Sequence, residues 1–248
     1  MENLKKLQKV TLPKKYEYIK GVNNPLYEKY KGFEKISYSQ INSFKDYKEG
    51  YIQDYILGKR KNDSGIFAGF GSNCGDFLNP DDQREYEMLS QNDIDILQPL
   101  KDNHPKGSVF EYEIIINLEP FGLEKTCIQC FTDRQYIEDG KLNISDYKTL
   151  TVKTKKAYYE SDDYKQLDIY GYGLEEQGYV IGAMNVVGLG RSGNTAEKGN
   201  KNVLRLSGEI IIIDKPYNRE KSLKIIGEIV ETCKQISQYF KVYNNVFK

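Results

Sequence analysis

Residues 127–148, CIQCFTDRQYIEDGKLNISDYK, decide how this chain reads. Two runs rich in β-branched and aromatic residues flank Asp139-Gly140, a dipeptide that tolerates positive φ and suits a two-residue type I′ hairpin turn. Glu138 then faces Lys141, and counting back along both strands sets Asp133 across from Asp146. A four-residue loop over 138–141 keeps this pairing, whereas a three-residue loop or a bulge breaks it.

Directly opposed side chains on one sheet face lie about 4.5–5.5 Å apart at Cβ, where two carboxylates repel. A hard divalent cation reverses the sign, because Mg²⁺ takes oxygen ligands and often uses one or two carboxylates. Strand alternation returns Lys148 to the face of Asp146 and turns Tyr147 away. The hairpin therefore offers two carboxylates and an ammonium together, the pattern of a metal site with a cation beside it. If the pair exists to bind metal, neutralising Asp146 is expected to hold or raise metal-free stability by relieving repulsion; if Asp146 is instead a structural partner, for instance of Lys148, the variant is expected to melt lower. The competing reading is chance: with 29% of residues charged, a D-x(12)-D-x-K spacing arises easily, so the rest of the chain must weigh in.

The chain has 248 residues, enough to bury a core without disulfides. Acidic and basic residues balance at 36 each, so no global basic field advertises nucleic acid, although a local groove is compatible with neutrality. No stretch reaches the roughly 18–20 apolar residues of a membrane span, and the N-terminal lysines lack the apolar run of a signal peptide. The expectation is a cytoplasmic protein with no membrane partner and reduced cysteines. Cys127-x-x-Cys130 resembles half a zinc or iron–sulfur site, but an offset of three on a strand points the two thiols to opposite faces. Cys74 and Cys233 are isolated, so four buried free thiols are expected. His104, the only histidine, stands in a turn without a histidine or cysteine beside it and is assigned a structural or solvent role.

Taken in order, residues 1–36 read as an irregular arm packed on a single domain spanning 37–248. A helix runs from Ser37, with Ser39 as N-cap, to about Leu57. Residues 65–82 begin as a glycine loop and end in a short helix before Pro80, carrying Asp76 inward. Glu85, Glu87, Asp93 and Asp95 read as surface. Residues 109–118 form a strand on which Glu111 and Glu113 share a face, either one placed to add a carboxylate. Lys153, Lys155 and Lys156 cluster beyond Lys148 and are the candidates for holding phosphates. Residues 161–176 form a helix with Gln166 and Tyr170 on one face. Strands at 179–188 and 203–213 bracket a loop, 188–202, that carries Arg191, a further candidate for nucleic-acid contact. A helix over about 218–243 closes the chain.

The ordered set S-Y-S-Q-I (37–41), F-T-D-R (131–134), S-D-Y-K (145–148) and Gln166-x-x-x-Tyr170 resembles the PD-(D/E)XK nuclease superfamily, in its RecB-type and CRISPR-associated exonuclease branch. The likeness runs from Ser37 to about Tyr172. It implies an α/β fold with a restriction-endonuclease-like core, a central mixed sheet of about five strands flanked by helices. It implies Mg²⁺ or Mn²⁺ held by Asp133, Asp146 and the backbone carbonyl of Tyr147, with Lys148 orienting or activating a water. Gln166 and Tyr170 would support the site and the DNA backbone. Relatives carry a histidine four residues after a glycine in the upstream helix; here Gly71 is followed by Gly75, and the adjacent Asp76 is the candidate to supply that ligand. Iron–sulfur relatives place a cysteine near position 47, which is Tyr47, so no cluster is expected. The implied partner is DNA, with a recombination, repair or defence complex of phage or bacterial type as the setting. A DNA-binding or protein-interaction module that keeps the scaffold without catalysis is the alternative.

Overall fold

The strand β1 (Gln8–Lys9) and the strand β2 (Glu34–Ile36) both come from the segment expected as an irregular arm, and β2 enters the main sheet. The computed structural model describes residues 7–13, 26, 29–58, 65–193 and 204–247, excluding the side chains of 152–155, 246 and 247. After β2 come helix α1 (Tyr38–Asp46), the short helix α2 (Lys48–Tyr51) and a π-helical turn (Ile52–Ile56). The cap of α1 is Ser37 rather than Ser39: the Ser37 hydroxyl accepts from the Gln40 amide at 3.3 Å. Ser39 instead lies inside the first turn.

Helices α3 (Gly65–Leu78) and α4 (Gln91–Asp102) precede strand β3 (Val109–Asn117). The glycine-rich segment expected to open as a loop is helical throughout, and Phe70, Cys74, Phe77 and Leu78 recur at helical spacing along its buried side. Asp93 is not on the surface. It is fully buried, where its Oδ2 accepts from the Ser90 amide and hydroxyl at 2.8 and 2.6 Å, and its Oδ1 accepts from the distant Leu206 amide at 2.7 Å. A buried carboxylate is tolerated when hydrogen-bonded in this way.

The remaining elements are β4 (Leu123–Glu124), β5 (Thr126–Glu138), β6 (Lys141–Leu150), α5 (Val152–Glu160), α6 (Gln166–Glu175), β7 (Ile181–Ser192), β8 (Arg205–Asp214) and α7 (Arg219–Phe247). Strand β7 runs four residues past the expected end at 188, so Arg191 sits on a strand and not in a loop. Its glycines mark crowding: a Cβ on Gly188 would stand 2.5 Å from Leu150 Cδ2, and one on Gly190 would stand 2.9 Å from the Glu209 carbonyl oxygen. The rest of the expected loop, 194–202, lies outside the described residues.

Six strands form one mixed sheet in the order β2-β5-β6-β7-β8, with β3 on the other edge of β5; β1 and β4 make a separate parallel pair. The Asp139-Gly140 turn is as expected, both residues having positive φ (49° and 72°) and Glu138 pairing with Lys141. Helices α1, α6 and α7 cover one face of the sheet, through Ile41, Phe44, Leu167, Ile169, Ile226 and Ile229 packed on Ile114, Ile144 and Val186. Helices α3 and α4 cover the other, through Phe70, Cys74 and Leu97 against Tyr147, Val187 and Leu189. Alternation along β6 and β7 sends neighbouring residues to opposite layers, as the period of two requires. Among the described residues no helix is long and apolar enough to cross a membrane.

Candidate functional site

Strand β5 forks. At its start the ladder Glu34–Ile36 with Thr126–Ile128 occupies one edge; at its end Arg134–Glu138 pairs with Lys141–Ser145 on that same edge, because β3 holds the opposite edge from Cys127 to Gln135. Between Ile128 and Arg134 that edge has no ladder partner, and the opening between β2 and β6 is where the candidate residues gather.

The register expected from the turn holds as far as Arg134 and Ser145, then the ladder stops one step short of Asp133 and Asp146. In place of a backbone pair, the Asp133 Oδ2 accepts the Tyr147 amide at 2.6 Å. The carboxylate is a wedge that ends the hairpin and turns β6 away. Arg134 braces the last rung, donating to the Ser145 hydroxyl at 2.7 Å and to His104 Nδ1 at 3.0 Å. A guanidinium only donates, so His104 Nδ1 accepts and its Nε2–H faces the Leu78 carbonyl, 2.9 Å away. Burial, with Arg134 adding to it against the Leu78 carbonyl, keeps the imidazole pKa below its usual value. His104 is thus a neutral strut behind the site, the structural role expected of it.

Asp146 is fully buried. Its Oδ2 takes the Lys148 ammonium at 2.6 Å and the Tyr164 hydroxyl at 2.5 Å, while its Oδ1 has no hydrogen-bond partner. Lys148 Nζ also stands 3.8 Å from Asp133 Oδ2 and 3.3 Å from the Tyr147 carbonyl oxygen. The two aspartates and the Tyr147 carbonyl therefore do converge, with the ammonium among them. Burial works against the charge on Lys148, but the Asp146 and Asp133 carboxylates outweigh it and raise its pKa. Burial pushes the Asp133 carboxyl up to about 7, with Asp146 and Glu111 adding to the rise and Lys148 and the Tyr147 amide opposing it.

Gln166 and Tyr170 lie one turn apart on α6 and are hydrogen-bonded, Gln166 Nε2 to the Tyr170 hydroxyl. Gln166 Oε1 is 3.2 Å from the Tyr164 hydroxyl, so both reach Asp146 only through Tyr164. Tyr164 is the residue that sequence reasoning missed. The sequence pattern predicts a helix from 161, whereas α6 begins at Gln166 and residues 161–165 form the turn that brings the Tyr164 hydroxyl to Asp146. Burial, reinforced by Asp146, holds its hydroxyl pKa well above 10.

Asp76, Glu111, Asp133, Lys148 and Arg191 line one cavity of about 800 Å³ together with Gly75 and Arg84. Asp76 is ion-paired with Arg84 at 2.9 Å. A Cβ on Gly75 would meet nothing within 4 Å, so that position faces open space. Arg191 lies with its guanidinium 4.2 Å from the centroid of Phe67, and its buried Nε has no hydrogen-bond partner. Glu111 has φ of +50°. The β3–β5 ladder skips the Glu111–Asp133 step while keeping a common register on either side. Tyr112 and Phe110, which would share a face on a regular strand, pack in opposite layers. Strained backbone of this kind concentrates at functional sites.

Lys156 is exposed on α5 and pairs with Glu160 at 3.6 Å. The side chains of Lys153 and Lys155 lie outside the described residues. All four cysteines are free and buried, and Cys127 and Cys130 sit in different apolar clusters, as their strand parity requires.

Two carboxylates, one carrying a buried and unpartnered oxygen, fit a cation that keeps much of its water shell, which is the habit of Mg²⁺. Among the described residues no three His, Cys, Asp or Glu side chains converge as a closed metal cage would need.

No family model and no curated protein matches the chain. Among solved structures it is similar to one described as "Crystal structure of SSO0001", with 16% identity over 82% of this chain and 76% of that chain and a TM-score of 0.39.

Proposed function

We propose that this protein is a Mg²⁺- or Mn²⁺-dependent nuclease that hydrolyses phosphodiester bonds in DNA. The observation that carries the proposal is the trio at the fork of β5: Asp133 and buried Asp146, with Lys148 Nζ 3.8 and 2.6 Å from their oxygens. Asp133, Asp146 through its unpartnered Oδ1, and the Tyr147 carbonyl would hold the cation. When bound, such a cation polarises a phosphate oxygen and lowers the pKa of a coordinated water.

The protein's own groups set the rest. Lys148 has a raised pKa and three N–H donors, so it acts as a proton-bearing clamp for water and phosphate charge rather than as a base. Tyr164 fixes the Asp146 carboxylate by donating to Oδ2, which leaves Oδ1 aimed away. Gln166 and Tyr170 hold Tyr164 in turn. Arg191 supplies positive charge in the acidic cavity, where Arg84 is already paired with Asp76. DNA is the expected partner, engaged through phosphates.

The test is incubation with end-labelled linear DNA and covalently closed circles in Mg²⁺, Mn²⁺ or EDTA. Cleavage with either metal, none in EDTA, and loss of cleavage in Lys148→Met are expected. No cleavage of single-stranded, duplex or circular DNA with either metal would leave a non-catalytic binding module as the reading.

A further inference from the structure

The turn that carries Tyr164 is held at both ends by lysines. It runs from Ser161, where α5 ends, to Lys165, where α6 is about to begin. At its far end Lys165 Nζ meets Glu228 Oε2 of α7 at 2.7 Å. At its start Lys215 Nζ donates to the Ser161 carbonyl at 2.7 Å and to the Glu160 carbonyl at 3.4 Å. Lys215 follows the last residue of β8 and is itself anchored, its amide donating to the Met184 carbonyl of β7 at 2.8 Å. Only 7% of Lys215 is exposed. An ammonium is costly to bury unless it is paired or hydrogen-bonded. The nearby carboxylates are engaged by a different lysine, since Lys221 Nζ lies 2.9 Å from Asp162 and 3.3 Å from Asp168. Lys215 is thus committed to the end of α5, where a helix leaves carbonyls unpaired and presents the negative end of its dipole.

We infer that Lys215 is a positioning residue for the candidate cation site, acting through the 161–165 turn on Tyr164 and through Tyr164 on the Asp146 carboxylate. The inference rests on the nuclease reading above and deepens it. The path is short. The Asp163 amide donates to Ser161 Oγ at 3.2 Å, so a displacement of Ser161 is passed along the turn. The next residue is Tyr164, whose hydroxyl donates to Asp146 Oδ2 at 2.5 Å and whose ring stands edge-on to Tyr159 at 5.0 Å between centroids. That hydrogen bond sets which oxygen of Asp146 is taken and leaves Oδ1 for a cation. Groups that orient a metal ligand from behind are worth roughly 10–100-fold in metal affinity. Lys215 is one such group, reaching the ligand from the end of β8.

The experiment is calorimetric titration with Mn²⁺ alone, without DNA and well below each Tm, of the parent, Lys215→Met, Tyr164→Phe and the double variant. Each single variant should bind Mn²⁺ roughly ten-fold more weakly than the parent. The double variant should match Tyr164→Phe to within about two-fold, because Lys215 acts through Tyr164 and has nothing further to move. A strut with a merely structural role would lower Tm and leave Mn²⁺ affinity at the parent value. Lys215→Gln, which keeps one donor for a carbonyl, carries the same cycle if Lys215→Met is too unstable to titrate, with a smaller loss expected. A Lys215 variant that binds Mn²⁺ like the parent, or losses that multiply in the double variant, overturns the inference and keeps the nuclease reading. A parent that binds no Mn²⁺ refutes the nuclease reading and this inference with it.

Discussion

Asp146→Asn is the most telling substitution, because the structure favours one of the two signs that the sequence leaves open. Two opposed aspartates should repel, so removing one charge looks harmless or stabilising. In the folded protein, however, Lys148 Nζ lies 2.6 Å from Asp146 Oδ2 and 3.8 Å from Asp133 Oδ2, which turns repulsion into a compensated cluster. Breaking a buried ion pair by removing one partner costs about 3–5 kcal/mol. Lys148 keeps 27% side-chain exposure and retains Asp133, so about 2–3 kcal/mol of that is expected. In a chain of this size each kcal/mol moves Tm by about 2–4 °C, which gives a fall of about 5–10 °C in EDTA. Mg²⁺ should then raise the Tm of the parent and leave the variant nearly unmoved, because a ligand selective for the folded state stabilises in proportion to its binding. Calorimetry of both proteins with EDTA and with Mg²⁺ reads all four values. A variant that melts in EDTA at or above the parent temperature would falsify the ion-pair account, and an equal Mg²⁺ shift in both proteins would remove Asp146 from the cation site.

Asp133 should leave its mark on pH dependence. Its carboxyl is raised from 3.8 to about 7 by burial first, with Asp146 and Glu111 adding and Lys148 opposing. The folded state therefore holds a proton that the unfolded chain has released, and stability falls as pH rises through that window. In EDTA, the parent should lose Tm relative to Asp133→Asn between about pH 4 and pH 7. A difference that stays flat, or grows in the parent's favour, contradicts the raised pKa. Asp93→Ala removes the acceptor of three hydrogen bonds, two within the cap of α4 and one from β8, and about 2–4 kcal/mol should be lost. Its signature is a lower Tm with unchanged cleavage per folded molecule; a change under about 0.5 kcal/mol in chemical denaturation would show that those bonds are replaced by water.

Much of this arrangement is written locally. The Asp-Gly turn sets the register of β5 and β6 as far as Arg134 and Ser145, which brings Asp133, Asp146 and Lys148 close together. The strand parity of Cys127 and Cys130 separates them into different layers for the same reason. What escaped was carried by partners distant in sequence or by glycines with two meanings. Asp93 looks like surface because one of its donors is a backbone amide 113 residues away. Gly188 and Gly190 suggest a loop, yet they are glycines because neighbouring strands leave no room for a Cβ. The glycines of α3 likewise obscured a helical stripe of buried residues. Tyr164 was hidden by a helix start placed five residues early, and the reversal of β3 at Glu111 by a backbone angle that no side-chain pattern announces.

The fork of β5 also has a kinetic meaning. Its β6 arm closes through a two-residue turn, whereas its β2 arm joins residues about ninety positions apart in the chain. Loop-closure entropy delays the second contact far more than the first. The hairpin that carries both aspartates and Lys148 is therefore free to assemble early in folding. The strand Glu34–Ile36, whose pairing closes the longer loop, is expected to dock after it.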